Sequence, residues 1–237
     1  MPISGKTAAA TFPVKRPLFY YVTDRSQLAG LSLISCMRRA MRCGADFIQI
    51  REKDLSDREL FVLTRKAVSL ARGTQCRILV NGRADVARAA GAHGVHLPST
   101  GLLPADLHPL LTQDLIVGVS AHSHDEVRRA AAQGADYVLV GPVYRTASKL
   151  PYGRPMGITR FRRICAAVSI PVLGLGGIHA DSVGSVLAAG AAGVAGISLF
   201  QREMDRLNLQ SGFTSPFSLE GRAVWTGPFP RPHGRRP

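Results

Sequence analysis

Acidic residues are scarce in this chain. Sixteen Asp and Glu stand against 30 Lys and Arg, which leaves a formal charge of +14 over 237 residues. Such an excess suits a nucleic-acid surface or small anionic ligands. Aromatic residues are also few, at 6% with a single tryptophan. The arginines scatter along helical stretches with little aromatic interleaving, which argues against nucleic acid and leaves small anions. The four cysteines, Cys36, Cys43, Cys76 and Cys165, form no CxxC or Cys/His cluster, so a zinc site and a disulfide framework are excluded. No apolar run approaches the ~18 residues of a membrane span, and residues 1–16 lack the continuous apolar core of a secretory signal. The expectation is a cytoplasmic protein with reduced thiols and neither nucleic-acid nor membrane partners.

What the chain does contain is a repeating pattern. Short apolar, β-branched runs at 18–23, 47–50, 77–80, 94–97, 115–119, 137–140, 171–175 and 194–197 alternate with Ala/Leu/Arg-rich stretches of helical period. Helices are expected to begin near Ser32, Asp57, Ala84, Pro104, Ser123, Thr159 and Asp181, with a short one after Ser198. Gly44-Ala45-Asp46, Gly91-Ala92-His93-Gly94, Gly134-Ala135-Asp136 and Gly190-Ala191-Ala192-Gly193 stand just before each even-numbered strand. Glycine there ends a helix in the left-handed conformation, and four such signals indicate a repeat of two βα units. Alternating strands and helices demand a parallel sheet. Eight units predict one closed (βα)8 TIM barrel over residues 17–205. An open doubly wound sheet is the alternative, but its GxGxxG turn is missing. Residues 1–16 read as a disordered leader. Residues 206–237, rich in Pro and Gly and carrying Trp225 and Phe229, read as a flexible tail.

A barrel of this kind carries its chemistry at the C-terminal ends of its strands. Those ends supply Arg51 and Lys53, Asn81, Ser120 and His122, Thr146 and Lys149, Gly176 and Gly177, and Ile197 and Ser198. The set is cationic and hydroxyl-rich. Glycine-rich loops 7 and 8 suit a phosphate, and Arg51, Lys53 and Lys149 suit a second anionic group.

As an ordered series, Gln49-Ile50-Arg51-Glu52-Lys53, Val80-Asn81-Gly82-Arg83, Gly94-Val95-His96-Leu97-Pro98-Ser99, Gly118-Val119-Ser120-Ala121-His122, Gly141-Pro142-Val143-Tyr144-Arg145-Thr146 and Gly174-Leu175-Gly176-Gly177-Ile178 resemble the motifs of the thiamine phosphate synthase/TenI family. The resemblance implies a TIM barrel in thiamin metabolism that acts on a phosphorylated thiazole or thiamine phosphate. One branch joins a hydroxymethylpyrimidine diphosphate to a thiazole phosphate and releases pyrophosphate. The other tautomerises a thiazole carboxylate phosphate. By resemblance, Arg51, Lys53, Asn81 and Lys149 match diphosphate-binding positions. Gly177 and Ser198 match the thiazole-phosphate end, and Ser120 lines the active site.

Two departures bear on the branch. The positions that resemble the synthase's magnesium-binding aspartates are Gly82 and Gly101. Magnesium is held by one or two carboxylates plus substrate phosphates. The sequence therefore points to a metal-independent thiazole tautomerase in which His122 transfers the proton. Thiamine phosphate synthase with magnesium is the alternative, and a non-catalytic thiamine phosphate binder is the second. A homo-oligomer is left open.

Overall fold

The computed structural model describes residues 17–28, 30–107, 115–146 and 154–202. The leader and the segment from 206 onward, with Trp225 and Phe229, lie outside them. Eight parallel strands close into a barrel in sequence order: β1 (Leu18–Val22), β2 (Phe47–Ile50), β3 (Arg77–Asn81), β4 (Gly94–Leu97), β5 (Ile116–Ala121), β6 (Tyr137–Val140), β7 (Val172–Leu175) and β8 (Gly193–Gly196). The seam is β8 against β1, with Leu18 opposite Gly193 and Tyr21 opposite Gly196. The open sheet is thereby ruled out.

Among the described residues six α-helices cover the outside: α1 (Leu33–Arg42), α2 (Asp57–Ala71), α3 (Ala84–Ala89), α4 (His124–Ala132), α5 (Gly157–Cys165) and α6 (Ala180–Ala188). A further helical stretch begins at Ser198. The helix expected near Pro104 is a 3-10 turn, Pro104–Leu107, as far as the described residues extend. Local chemistry sets the starts. Ser56 and Glu59 form a reciprocal capping box on α2, and the Ser123 hydroxyl accepts from the Glu126 N–H to start α4. Among the described residues no helix is long and apolar enough to cross a membrane.

Strand side chains alternate between two cores. Leu18, Tyr20, Val22, Phe47, Leu79, Ile116, Tyr137, Leu139, Leu173 and Ala195 fill the barrel interior. Phe19, Tyr21, Ile48, Ile50, Ile78, Val138 and Val194 face the helices. All four repeat glycines, Gly44, Gly91, Gly134 and Gly190, have positive φ, as the helix-ending role requires. The residue two places later has a task that the glycine pattern alone does not disclose. Asp46 Oδ2 accepts from the Phe19 N–H at 2.8 Å, His93 Nδ1 from Ile78 at 3.0 Å, and Asp136 Oδ2 from Val117 at 2.7 Å. Each side chain thus satisfies a backbone donor at the start of an odd-numbered strand.

Candidate active site

The strand ends carry those expected residues that the structure describes. Asn81 and Ser120, read from the sequence as loop residues, belong to strands. Asn81 pairs opposite His96 and Ser120 opposite Leu139, because β3 and β5 run one and two residues farther than their apolar runs. Arg51 follows β2. Its backbone N–H donates to Thr23 Oγ1 at 2.9 Å, and its guanidinium lies near enough to favour the charged form of Asp24 and disfavour that of His96. Lys53 is exposed and lines an outer cleft of about 740 Å³ with Asp24, Arg25, Leu28, Leu31 and Arg51. Arg25 pairs with Asp54 at 2.6 Å across that cleft. Lys149 lies outside the described residues.

On the opposite side, loops 6 and 7 are stitched together. Val143 N–H donates to Leu175 O at 2.9 Å, and Tyr144 N–H to Gly176 O at 3.0 Å. Gly177 has φ +67°, and a Cβ there would sit 2.6 Å from the Arg145 carbonyl oxygen. A Cβ on Gly176 would lie 3.7 Å from Thr146 Cγ2, so Thr146 and these glycines share one corner. The glycines therefore have a packing task as well as the expected one of exposing backbone to an anion. Ile197 packs against the interior cluster, and Ser198 opens the last helical stretch beside it.

His122 is fixed from two directions. Its backbone N–H donates to Glu126 Oε2 at 2.8 Å, and its Nδ1 bonds the Gly141 carbonyl. The ring ties loop 5 to the end of β6.

His96 reads from the sequence as a packed or hydrogen-bonded strand histidine, and the structure shows it so, whereas its interior partners Tyr137, Tyr20 and Gln49 do not stand out in the sequence. Ser120 Oγ lies 2.8 Å from His96 Nε2, and His96 Nδ1 lies 3.0 Å from Tyr137 Oη. Tyr137 Oη meets Tyr20 Oη at 2.8 Å. Tyr20 donates to Gln49 Oε1 at 3.3 Å, and Gln49 Nε2 donates to Asn81 Oδ1 at 2.9 Å. The available signal was the occurrence of polar residues at inward positions of otherwise apolar strands. Burial, with Arg51 adding to it, pushes the His96 imidazole down to about 3. Burial also lowers His93. His96 is therefore neutral in the fold and can charge when unfolded, and His93 is biased the same way. The unfolded chain then binds more protons below about pH 6.5, so stability falls as pH drops through that value. His96 contributes about 1.4 kcal/mol per pH unit in that window. Chemical denaturation at pH 7 and pH 5.5, above the carboxylate range, should show the loss, and unchanged stability would contradict it.

Among the described residues, those at the positions that resemble the magnesium site do not fit a protein-held magnesium. Gly82 and Gly101 offer no oxygen side chain. The next carboxylate, Asp85, is held by Arg83 at 2.6 Å, and the same guanidinium also bonds Asp57. Among the described residues no three His, Cys, Asp or Glu gather as a metal cage.

Comparison with known proteins bears on the branch. The family model described as thiamine monophosphate synthase matches residues 19–200. The chain is 40% identical over 188 residues to the thiamine-phosphate synthase of Roseiflexus castenholzii, covering 79% of this chain and 82% of the relative. It is 42% identical over 179 residues to the thiamine-phosphate synthase of Moorella thermoacetica, covering 75% and 85%. The solved thiamine phosphate pyrophosphorylase of Pyrococcus furiosus superposes with a TM-score of 0.70 at 30% identity, over 81% of this chain and 97% of that one. These relatives overturn the tautomerase expected from Gly82, Gly101 and His122. His122 then has no tautomerisation to serve, and its observed contacts are those of a loop tie. The barrel, the ordered motifs and these matches place the chain in the thiamine monophosphate synthase family.

Proposed function

We propose that this protein is a thiamine-phosphate synthase: it joins a hydroxymethylpyrimidine diphosphate to a thiazole phosphate and releases pyrophosphate. The observation that carries the reading is the 40–42% identity to synthases across about three quarters of the chain. In the reaction, the bond between the pyrimidine methylene carbon and the diphosphate oxygen breaks, and its electron pair leaves on that oxygen. The thiazole nitrogen supplies the pair for the new C–N bond, so the ring becomes cationic. Arg51 and the Asn81 amide hold the diphosphate and oppose its growing charge. The loops of Gly177 and Ser198 hold the thiazole phosphate and aim its nitrogen at the carbon. No step is routed through magnesium, for which the donor set is unsuited.

The test is to mix purified protein with both substrates, with and without added magnesium, and to quantify pyrophosphate and thiamine phosphate. Equal amounts of both products are expected. A second reading, a non-catalytic binder, draws on Gly82 and Gly101. It predicts thermal stabilisation by thiamine phosphate with no turnover, and that pair of results would overturn the synthase.

A further inference from the structure

We infer that Ser120, His96, Tyr137, Tyr20, Gln49 and Asn81 form one hydrogen-bond chain through the barrel interior. Its proton count ties the polarity of the two ends together, and the orientation of the Gln49 and Asn81 amides sets it so that Asn81 offers N–H donors to the mouth while Ser120 offers an acceptor. An amide oxygen only accepts, so the Tyr20 hydroxyl must donate to Gln49 Oε1. A hydroxyl has one proton. The Tyr20–Tyr137 bond is therefore carried by the proton of Tyr137, which leaves Tyr137 none to give His96. The His96–Tyr137 bond then requires the proton on Nδ1. A neutral imidazole has one N–H, so Nε2 is bare and Ser120 must donate to it. The Ser120 oxygen is left with its lone pairs for a ligand. At the other end, Gln49 Nε2 uses Asn81 Oδ1, and the Asn81 NH2 group remains for an anionic oxygen.

The opposite ordering is self-consistent only if both amides turn together and every proton shifts. It would point the Asn81 carbonyl at the mouth, where an anion would be repelled. The chain is all-or-none, since a buried hydroxyl or ring nitrogen left unmatched loses its bond to water with nothing in exchange.

The space for this chain is built into the sheet. Gly118 stands opposite His96 on one side and opposite Tyr137 on the other. A Cβ on it would lie 1.9 Å from Tyr137 Cζ and 2.2 Å from Tyr137 Oη. Only a residue without a side chain lets that hydroxyl reach His96. Tyr20, Tyr137 and His96 are fully or almost fully buried, so solvent does not complete their bonding.

His96, Tyr137, Tyr20 and Gln49 are thus positioning residues that act through Ser120 and Asn81. The inference concerns the protein without ligand, so its failure would leave the synthase reading standing. The test is ¹⁵N NMR of the full chain labelled on histidine, with the His96 ring assigned through its own Cβ. The wild type is expected to hold neutral His96 with the proton on Nδ1 from about pH 8 to about pH 5, across the range in which an ordinary histidine charges. Ser120→Ala should leave that tautomer in place. Tyr137→Phe should lose it. Tyr20→Phe, one link farther off and not touching the ring's nitrogens, should also lose it, because Tyr137 can then donate to Nδ1. Three outcomes overturn the inference: Nε2–H in the wild type, an imidazolium that grows in as pH falls through the usual range, or Tyr20→Phe retaining Nδ1–H.

Discussion

Replacing Arg51 with alanine should lower kcat/KM for the pyrimidine diphosphate by roughly 10²–10³-fold, the loss typical when one preorganised charge-stabilising donor is removed. Arg51 is expected to matter this much because little else at the described mouth opposes negative charge. Lys53 is exposed to solvent, which screens its charge. Arg83 is engaged by Asp57 and Asp85, and the positions suited to a metal-binding carboxylate are Gly82 and Gly101. The Arg51 backbone is anchored on Thr23, so its guanidinium starts from a fixed base over the barrel end. Arg51→Lys should restore part of the rate, since lysine supplies charge without the planar fork. Steady-state kinetics check this. A change under about threefold in Arg51→Ala would remove Arg51 from the site.

The second large effect is expected at Gly177. Alanine there meets two separate penalties. A left-handed backbone costs a residue with a Cβ roughly 1–2 kcal/mol, and forced overpacking typically adds about 1–3 kcal/mol. The obstacle is main chain, the Tyr144 and Arg145 carbonyls at 2.7 and 2.6 Å, so it cannot move as a flexible side chain would. Gly177→Ala should therefore destabilise the fold by about 2–5 kcal/mol in urea denaturation, the sum of those two ranges. It should also raise KM for the thiazole phosphate more than for the pyrimidine diphosphate, because it parts loops 6 and 7. Gly184 is the control. It lies inside α6 with nothing within 4 Å of a Cβ, and alanine there should be neutral or stabilising by up to about 1 kcal/mol. Equal behaviour of the two variants would contradict the account.

Periodicity carried the architecture in plain view. Every strand matches its apolar run to within two residues, and Ser32, Asp57, Ala84 and Ser123 stand at or beside helix starts. Those features are local, set by alternation and caps. The mouth followed from the fold rule that strand C-termini carry function, which needs only strand ends. Three kinds of feature escaped. The strand-start bonds of Asp46, His93 and Asp136 join residues far apart in sequence, and no local pattern marks an acceptor aimed at another strand. The interior chain depends on register: His96, Gly118 and Tyr137 become neighbours only when β4, β5 and β6 are aligned. The branch is not legible in Gly82, Gly101 and His122, which are three positions, whereas the identity to synthases extends across most of the barrel.

Anion-holding groups are expected to converge at one end of this barrel. The most direct measurement is a crystal structure of the protein with pyrophosphate and thiamine phosphate bound. Pyrophosphate is expected within hydrogen-bonding distance of the Arg51 guanidinium and the Asn81 amide nitrogen, with the thiamine phosphate ester against Gly177 and Ser198. Ligand bound only in the outer cleft beside Arg25 and Lys53, with the barrel mouth holding water, would contradict it.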